Sequence, residues 1–407
     1  MGHSTLVSSP VSTGGAGVAG LPATKRPPER ALAAQGGAGS SAPLGTIAKF
    51  AASASQCGVS SGVGRQVRRF FLQSAARELV PRERVAKCLR RPIPVRSSVD
   101  VLYAPAGRSA HYGGLQVCSS VWLCPVCSAK ISERRRVELS AALDAWRAIE
   151  GTRVILATFT VQHRASEPLS TLLEPVVEGW RWFKNGDWWQ HFVSFHRVAG
   201  SIRALELTHG ANGWHPHLHV LFFLWRDVQI LPFEADLKSR WTHTLKRQGR
   251  WASWAHGVDV RFSDAHVAEY VAKYGKEPEW TVSHEMTKNP SKMGRNGGRT
   301  PLQLLSDYSE GDTAAGALWR EYAVTMKGRK QLVWSPGLRD LLQLAAEETD
   351  EEVAGKHEEI AVILAQLTHQ QWRVVLGNDA RGELLEVASA GDAGAVWTFL
   401  RGLGVEV

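Results

Sequence analysis

The chain has 407 residues, a formal net charge of +9 at pH 7 and a pI near 9.4. That length supports two or three structural units around a sizeable core, and the basic balance points to a polyanionic partner such as nucleic acid. No apolar run is long enough to span a bilayer, the N-terminus lacks a signal-peptide pattern, and five cysteines do not make a disulfide framework, so the expectation is a cytoplasmic protein with no membrane partner.

The charge is uneven. Residues 341–407 hold 12 acidic and 4 basic residues, a net of −8, so residues 1–340 carry +17. Residues 1–64 are rich in Gly, Ala, Ser and Pro and are expected to be disordered, with Cys57 an uncommitted thiol. Residues 65–92 turn strongly basic, from Arg65 to Arg91, either as a solvated helical face or as a contact to DNA phosphates. Next comes Cys118-Ser-Ser-Val-Trp-Leu-Cys124-Pro-Val-Cys127. The Cys-Pro-x-Cys turn has the form of a zinc knuckle, in which backbone amides support thiolates. Cys88 is the first choice for the fourth ligand of a structural Zn²⁺ and His111 the second. The third cysteine and the basic surroundings at Lys130, Arg134, Arg135 and Arg136 argue against a redox pair.

Ile131 to Ala148 reads as an amphipathic helix, Thr152 to Val161 as a strand, and Leu169 to Trp189 as a helix ending in four tryptophans, for which core packing is the plain reading and base stacking the alternative. Ser201 to Leu207 forms a strand, and Thr208 to Gly213 carries turn chemistry. The following stretch, Trp214-His215-Pro216-His217-Leu218-His219, runs into the apolar Val220 to Leu224. Residues two apart on a strand share a face, so His217 and His219 aim into one site, with His215 on the same face where the strand begins. Folding the hairpin sets Glu206 roughly opposite His217. One carboxylate and two imidazoles with open positions suit a catalytic divalent ion. A histidine cluster that merely caps the strand is the competing reading.

Phe233 to Arg247 is a predicted helix and Val258 to Phe262 a short strand. A helix capped at Ser263-Asp264 then carries Glu269-Tyr270-Val-Ala-Lys273-Tyr274. Tyr270 and Tyr274 lie four apart, hence on one face, beside Lys273. A phenolate whose pKa a lysine lowers is a competent nucleophile toward a metal-polarised phosphate. Glu285 to Thr300 reads as a basic, Gly-rich loop, Ala314 to Met326 as a helix, and Gln331 to Trp334 as a strand. Glu351–Thr368 and Gly382–Leu400 read as helical segments without evident chemistry.

Three motifs in order, the Cys-Pro-x-Cys block ending Lys130-Ile131, Leu205-Glu-Leu-Thr leading to Gly213-Trp-His-Pro-His-Leu-His-Val-Leu, and Glu269-Tyr-Val-Ala-Lys-Tyr274, give residues 85–340 a specific resemblance to a known family. The chain resembles the rolling-circle replication initiators of small plasmids in the HUH endonuclease superfamily, in their actinobacterial branch. Thr158-Phe159-Thr160 looks like that family's first motif. The resemblance implies an α+β fold, a central antiparallel sheet flanked by helices, with an N-terminal zinc-binding block and a helical C-terminal tail. Together with composition, the expected division is a disordered segment 1–64, a zinc-binding segment 65–148, a nicking domain 149–340 and an acidic helical tail 341–407.

The family's histidine pair falls on His217 and His219, and its tyrosine-x-x-lysine motif on Tyr270 and Lys273, while Tyr274 fits relatives that use a later tyrosine. Some relatives place a glutamate four residues before the tyrosine. Here Tyr270 stands four before Tyr274 and Glu269 five before, so termination departs from that pattern. The implied activity is a metal-dependent nick at a plasmid origin, bound as duplex and as single strand, with host helicase and DNA polymerase as partners. A transposase or relaxase on the same core, and a non-enzymatic zinc-containing regulator, are the competing readings.

Overall fold

A computed structural model describes residues 63–262, 298–356 and 360–406. Five strands form an antiparallel sheet in the order β6-β3-β5-β4-β7: β3 (Arg153–Thr160), β4 (Val198–Gly210), β5 (Gly213–Leu224), β6 (Val258–Phe262) and β7 (Leu332–Trp334). The long hairpin β4–β5 is its centre. Its turn needs Gly213, whose φ of +81° belongs to the left-handed region and whose Cβ, if present, would meet the Ala165 carbonyl oxygen at 2.5 Å.

The apolar run Val220 to Leu224 predicts a strand covered on both faces, and it is covered on both. On one face Leu221 and Phe223 join Val154, Ile202 and Ala204 under Leu139, Leu143 and Trp146 of helix Pro125–Arg147. On the other, Val220 and Phe222 join Phe159 beneath helices Leu169–Phe183, Asp187–His196 and Ile230–Lys246, through Phe183, Phe192, Phe233 and Trp241. The helix expected over Leu169 to Trp189 is thus two helices. Gly186, at φ +79°, breaks it, because a left-handed residue cannot continue a right-handed helix.

A second sheet, β2-β1-β8, was not evident in the sequence. β1 (Ser98–Ala104) and β2 (Ser109–Gly113) form a hairpin, and β8 (Val362–Thr368) pairs antiparallel with β1. The expected helical tail is corrected here. Among the described residues of Glu351–Thr368, helix Asp350–Gly355 covers the start alone, and the β-branched stretch from Val362 pairs with β1 instead. Helices His369–Gly377, Arg381–Ala388 and Ala393–Gly402 follow. They bury Trp372, Leu384, Leu385, Val396 and Leu400 against Phe70 of helix Val63–Leu79 and against Val99, Val101 and Tyr112. The C-terminal segment is therefore part of a core shared with residues near the N-terminal end of the described chain. No helix among the described residues is long and apolar enough to cross a membrane.

Candidate functional site

Pairing of β4 with β5 sets Glu206 opposite His217 and Ala204 opposite His219; β3 adds Thr160 opposite His217 and Thr158 opposite His219. Glu206, His217 and His219 come together, their ligand atoms all within 4.8 Å of one another. Glu206 Oε2 lies 2.7 Å from His219 Nε2 and 3.2 Å from His217 Nε2. His219 is 1% exposed.

The outer nitrogens decide what the inner ones can do. His217 Nδ1–H donates to the His215 carbonyl at 3.2 Å, and a carbonyl can only accept. His219 Nδ1 lies 3.1 Å from Thr158 Oγ1, a hydroxyl that can accept an Nδ1–H. With both protons outward, each neutral ring turns an Nε2 lone pair toward the carboxylate. Three acceptors converging in a half-buried site require a proton or a cation among them. Where protons on the two Nε2 atoms fill that role, burial still opposes ionisation of Glu206, but hydrogen bonds from the protonated His217 and His219 outweigh it and hold the carboxyl well below the usual carboxylate range. The donor set of one carboxylate and two imidazoles, with its outer hydrogen bonds in place, fits a divalent ion.

His215 does not join this group. Its Nδ1 lies 2.9 Å from His163 Nε2, and its ring centre is 5.3 Å from that of His217. Burial, with His217 and His163 nearby, pushes its pKa down to about 4. His163 and the role of the Thr158 hydroxyl were missed in the sequence. Only the alternation of Thr158, Phe159 and Thr160 hinted that a hydroxyl faces the histidines. Tyr270, Lys273 and Tyr274, with Glu269 beside them, lie outside the described residues.

The four cysteines Cys88, Cys118, Cys124 and Cys127 form a second, buried group. Their Sγ atoms stand 3.6 Å (Cys88–Cys127), 3.7 Å (Cys118–Cys127) and 3.8 Å (Cys88–Cys124) apart. These are too long for disulfides, but four sulfurs held about 2.3 Å from one ion form a tetrahedron with edges of about 3.8 Å. The sulfurs already accept outer hydrogen bonds: Cys118 N–H donates to Cys88 Sγ at 3.4 Å, Cys127 N–H to Cys124 Sγ at 3.5 Å, and Gln73 Nε2 to Cys124 Sγ at 3.2 Å. His111, the alternative fourth ligand, is outside the cluster, on β2.

Some of the basic charge is spent within the chain. Arg84 pairs with Glu351 at 3.4 Å, Arg90 with Asp379 at 3.4 Å, Arg134 with Glu348 at 2.7 Å and Arg135 with Asp350 at 3.2 Å. Arg84 and Arg90, in the basic stretch 65–92, thus have carboxylate partners in the acidic C-terminal segment.

Residues 114–291 match the family described as replication protein. The chain is 29% identical to "Protein rep" of Streptomyces lividans, over 62% of this chain and 69% of that protein. It is 30% identical to "Neomycin resistance protein" of Streptomyces cyanogenus, over 26% of this chain and 30% of that protein. No solved structure matches. The matched segment contains the β4–β5 hairpin and three of the four cysteines, so the part of the chain that is similar to replication proteins, a Streptomyces one among them, is the part that holds these residues.

Proposed function

We propose that the chain is a metal-dependent nickase with an HUH-type core over residues 149–340, which cuts one strand at a plasmid origin to start rolling-circle replication. The observation that carries this reading is the convergence of Glu206 with His217 and His219, both rings turned so that their Nε2 atoms face the carboxylate. Mg²⁺ or Mn²⁺ bound there supplies Lewis-acid polarisation of the scissile phosphate. Tyr270 or Tyr274 provides the phenolate oxygen. It forms a bond to phosphorus as the bond to the 3′ oxygen breaks, leaving a 5′-phosphotyrosine ester and a 3′-hydroxyl that takes up a proton and primes synthesis. Lys273 steadies the phenolate or the phosphate. The four cysteines hold Zn²⁺, which organises the segment before the nicking domain. Origin DNA is the partner, as duplex and as single strand, with a host helicase and polymerase acting on the opened end.

The test is incubation with a labelled single-stranded origin oligonucleotide and Mn²⁺, followed by a denaturing gel. A covalent adduct is expected, absent in Tyr270→Phe and present in Tyr274→Phe, with Tyr274 acting in termination. A nucleotide mapped to Tyr274 alone reverses these roles. Complete absence of adduct, with origin binding intact, favours the zinc-containing regulator.

A further inference from the structure

The sheet face opposite the histidines carries a cavity of about 700 Å³ between helix Leu169–Phe183 and strands β4 and β7. The two faces are set by register. Glu206 and Ala204 share the histidine face, and Arg203, one residue from Ala204, points to the other. Arg203 stands opposite Val333 on β7 and lines the cavity together with Trp180, Lys184, Asn185, Trp189 and Ser335.

Two cations, Lys184 and Arg203, meet there, in a cavity whose lining also holds the Arg181–Glu178 ion pair. Among the described residues neither the Arg203 guanidinium nor the Lys184 ammonium has a carboxylate partner, whereas the neighbouring Arg181 pairs with Glu178 at 3.3 Å. Burial pushes Arg203 down to about 10, and burial followed by the charge of Arg203 lowers Lys184 as well. Like charges brought together in a partly desolvated wall cost free energy unless an anion completes the site. The remaining wall is aromatic: Lys184 Nζ sits 5.5 Å from the Trp180 ring centre, and Trp189 is half-buried beside it. Around the Asn185 corner the pattern continues, with Arg240 over Trp188 at 5.1 Å and Arg247 over Trp182 at 5.3 Å, and Trp182 48% exposed.

We propose that this cavity is a second DNA contact that seats a nucleotide of single-stranded DNA, its phosphate between Lys184 and Arg203 and its base against the tryptophan wall. A bare anion site would not need aromatic walls, and a base-stacking platform would not need two unmatched cations. Together they match how unpaired nucleic acid is held. The choice of a DNA strand over a free nucleotide rests on the replication-initiator reading. The position, on the face away from Glu206, His217 and His219, means that a strand seated here is held apart from the strand at the metal group.

Binding, not nicking, tests this, so its outcome is independent of the nickase reading. The full chain is titrated against a labelled oligothymidylate by fluorescence anisotropy, without added divalent cation and over a range of salt. Lys184→Gln/Arg203→Gln is expected to raise Kd about tenfold and to flatten the slope of log K against log salt by about 0.7 for each lost phosphate contact. Arg203→Lys, which keeps the charge, is expected to retain most of the slope, and Arg373→Gln/Arg401→Gln, at the C-terminal end, to leave both quantities unchanged. Lys184→Gln alone, at the end of its helix, guards against misfolding of the double variant. A wild-type slope in a folded double variant overturns the proposal. So does a double variant that keeps full oligonucleotide affinity yet loses competition by thymidine monophosphate, because the cavity would then serve a free nucleotide.

Discussion

Thr158→Val isolates one hydrogen bond at the metal group. The hydroxyl lies 3.1 Å from His219 Nδ1, and valine keeps the branched shape and strand preference while deleting the oxygen. A hydrogen bond of this kind contributes about 0.5–1.5 kcal/mol net, which at 1.4 kcal/mol per factor of ten is about two- to twelve-fold in an equilibrium constant. Outer partners of metal-ligating histidines are worth about 10–100-fold in metal affinity. The two ranges meet near tenfold, and that is the expected rise in the Mn²⁺ concentration giving half-maximal adduct. Thr160→Val is the internal comparison. Its hydroxyl donates to the His256 carbonyl at 3.0 Å and not to a histidine ring, so its Mn²⁺ midpoint is expected to match the wild type. If Thr158→Val folds and its midpoint stays within about twofold of the wild type, Thr158 does not orient a metal ligand and the tautomer argument fails.

Three further outcomes are expected. His217→Ala or His219→Ala abolishes nicking while duplex origin binding persists, since base and phosphate contacts come from elsewhere; full nicking by the double variant with added Mn²⁺ removes the metal assignment. Cys124→Ser or Cys127→Ser loses bound zinc and lowers the melting temperature, because binding at such a site is folding free energy; elemental analysis of unchelated wild-type protein that finds no zinc is the contrary result. Arg381→Met, which strips a fully buried guanidinium from Gln73, Ser74 and Asp379, destabilises by roughly 1–3 kcal/mol in urea unfolding, and the absence of any loss counts against a structural role.

The hairpin at the metal group was legible because its information is local. Alternation sets His217 and His219 on one face, the glycines at 210 and 213 close the turn, and counting back through that turn reaches Glu206. The cysteine cluster was legible from spacing, with Cys88 joining from 30 residues before Cys118. What depended on pairing between distant segments was not legible. His163 lies just beyond the end of β3, where no periodicity marks it, and meets His215 only because β3 lies beside β5. Val362 to Thr368 carries strand-forming residues, but the partner that makes it a strand lies over 250 residues away in β1. The C-terminal segment read as a tail without chemistry because its acidic residues, taken alone, look like a solvated surface. Several of them pair with arginines on helix Pro125–Arg147 and near Cys88.

These long-range contacts tie the two candidate metal groups to one framework. Helix Pro125–Arg147 begins at the cysteines, with Cys124 as its N-cap and Cys127 in its first turn, and spans about 34 Å at 1.5 Å per residue. Its far end packs Leu139, Leu143 and Trp146 on the same sheet face that carries Glu206, His217 and His219. At its near end, Gln73 donates to Cys124 Sγ and accepts from Arg381 Nη1 at 2.6 Å, so a guanidinium from the C-terminal segment stands one side chain away from the thiolates. Four thiolates around a divalent ion keep a net negative charge, and a buried cation linked to them offsets it. Loss of the cysteine-held ion would thus be felt along the helix at the sheet. The observable consequence is that Cys127→Ser shifts the Mn²⁺ midpoint of any protein that remains folded, although Cys127 touches none of the three residues proposed to hold the Mn²⁺.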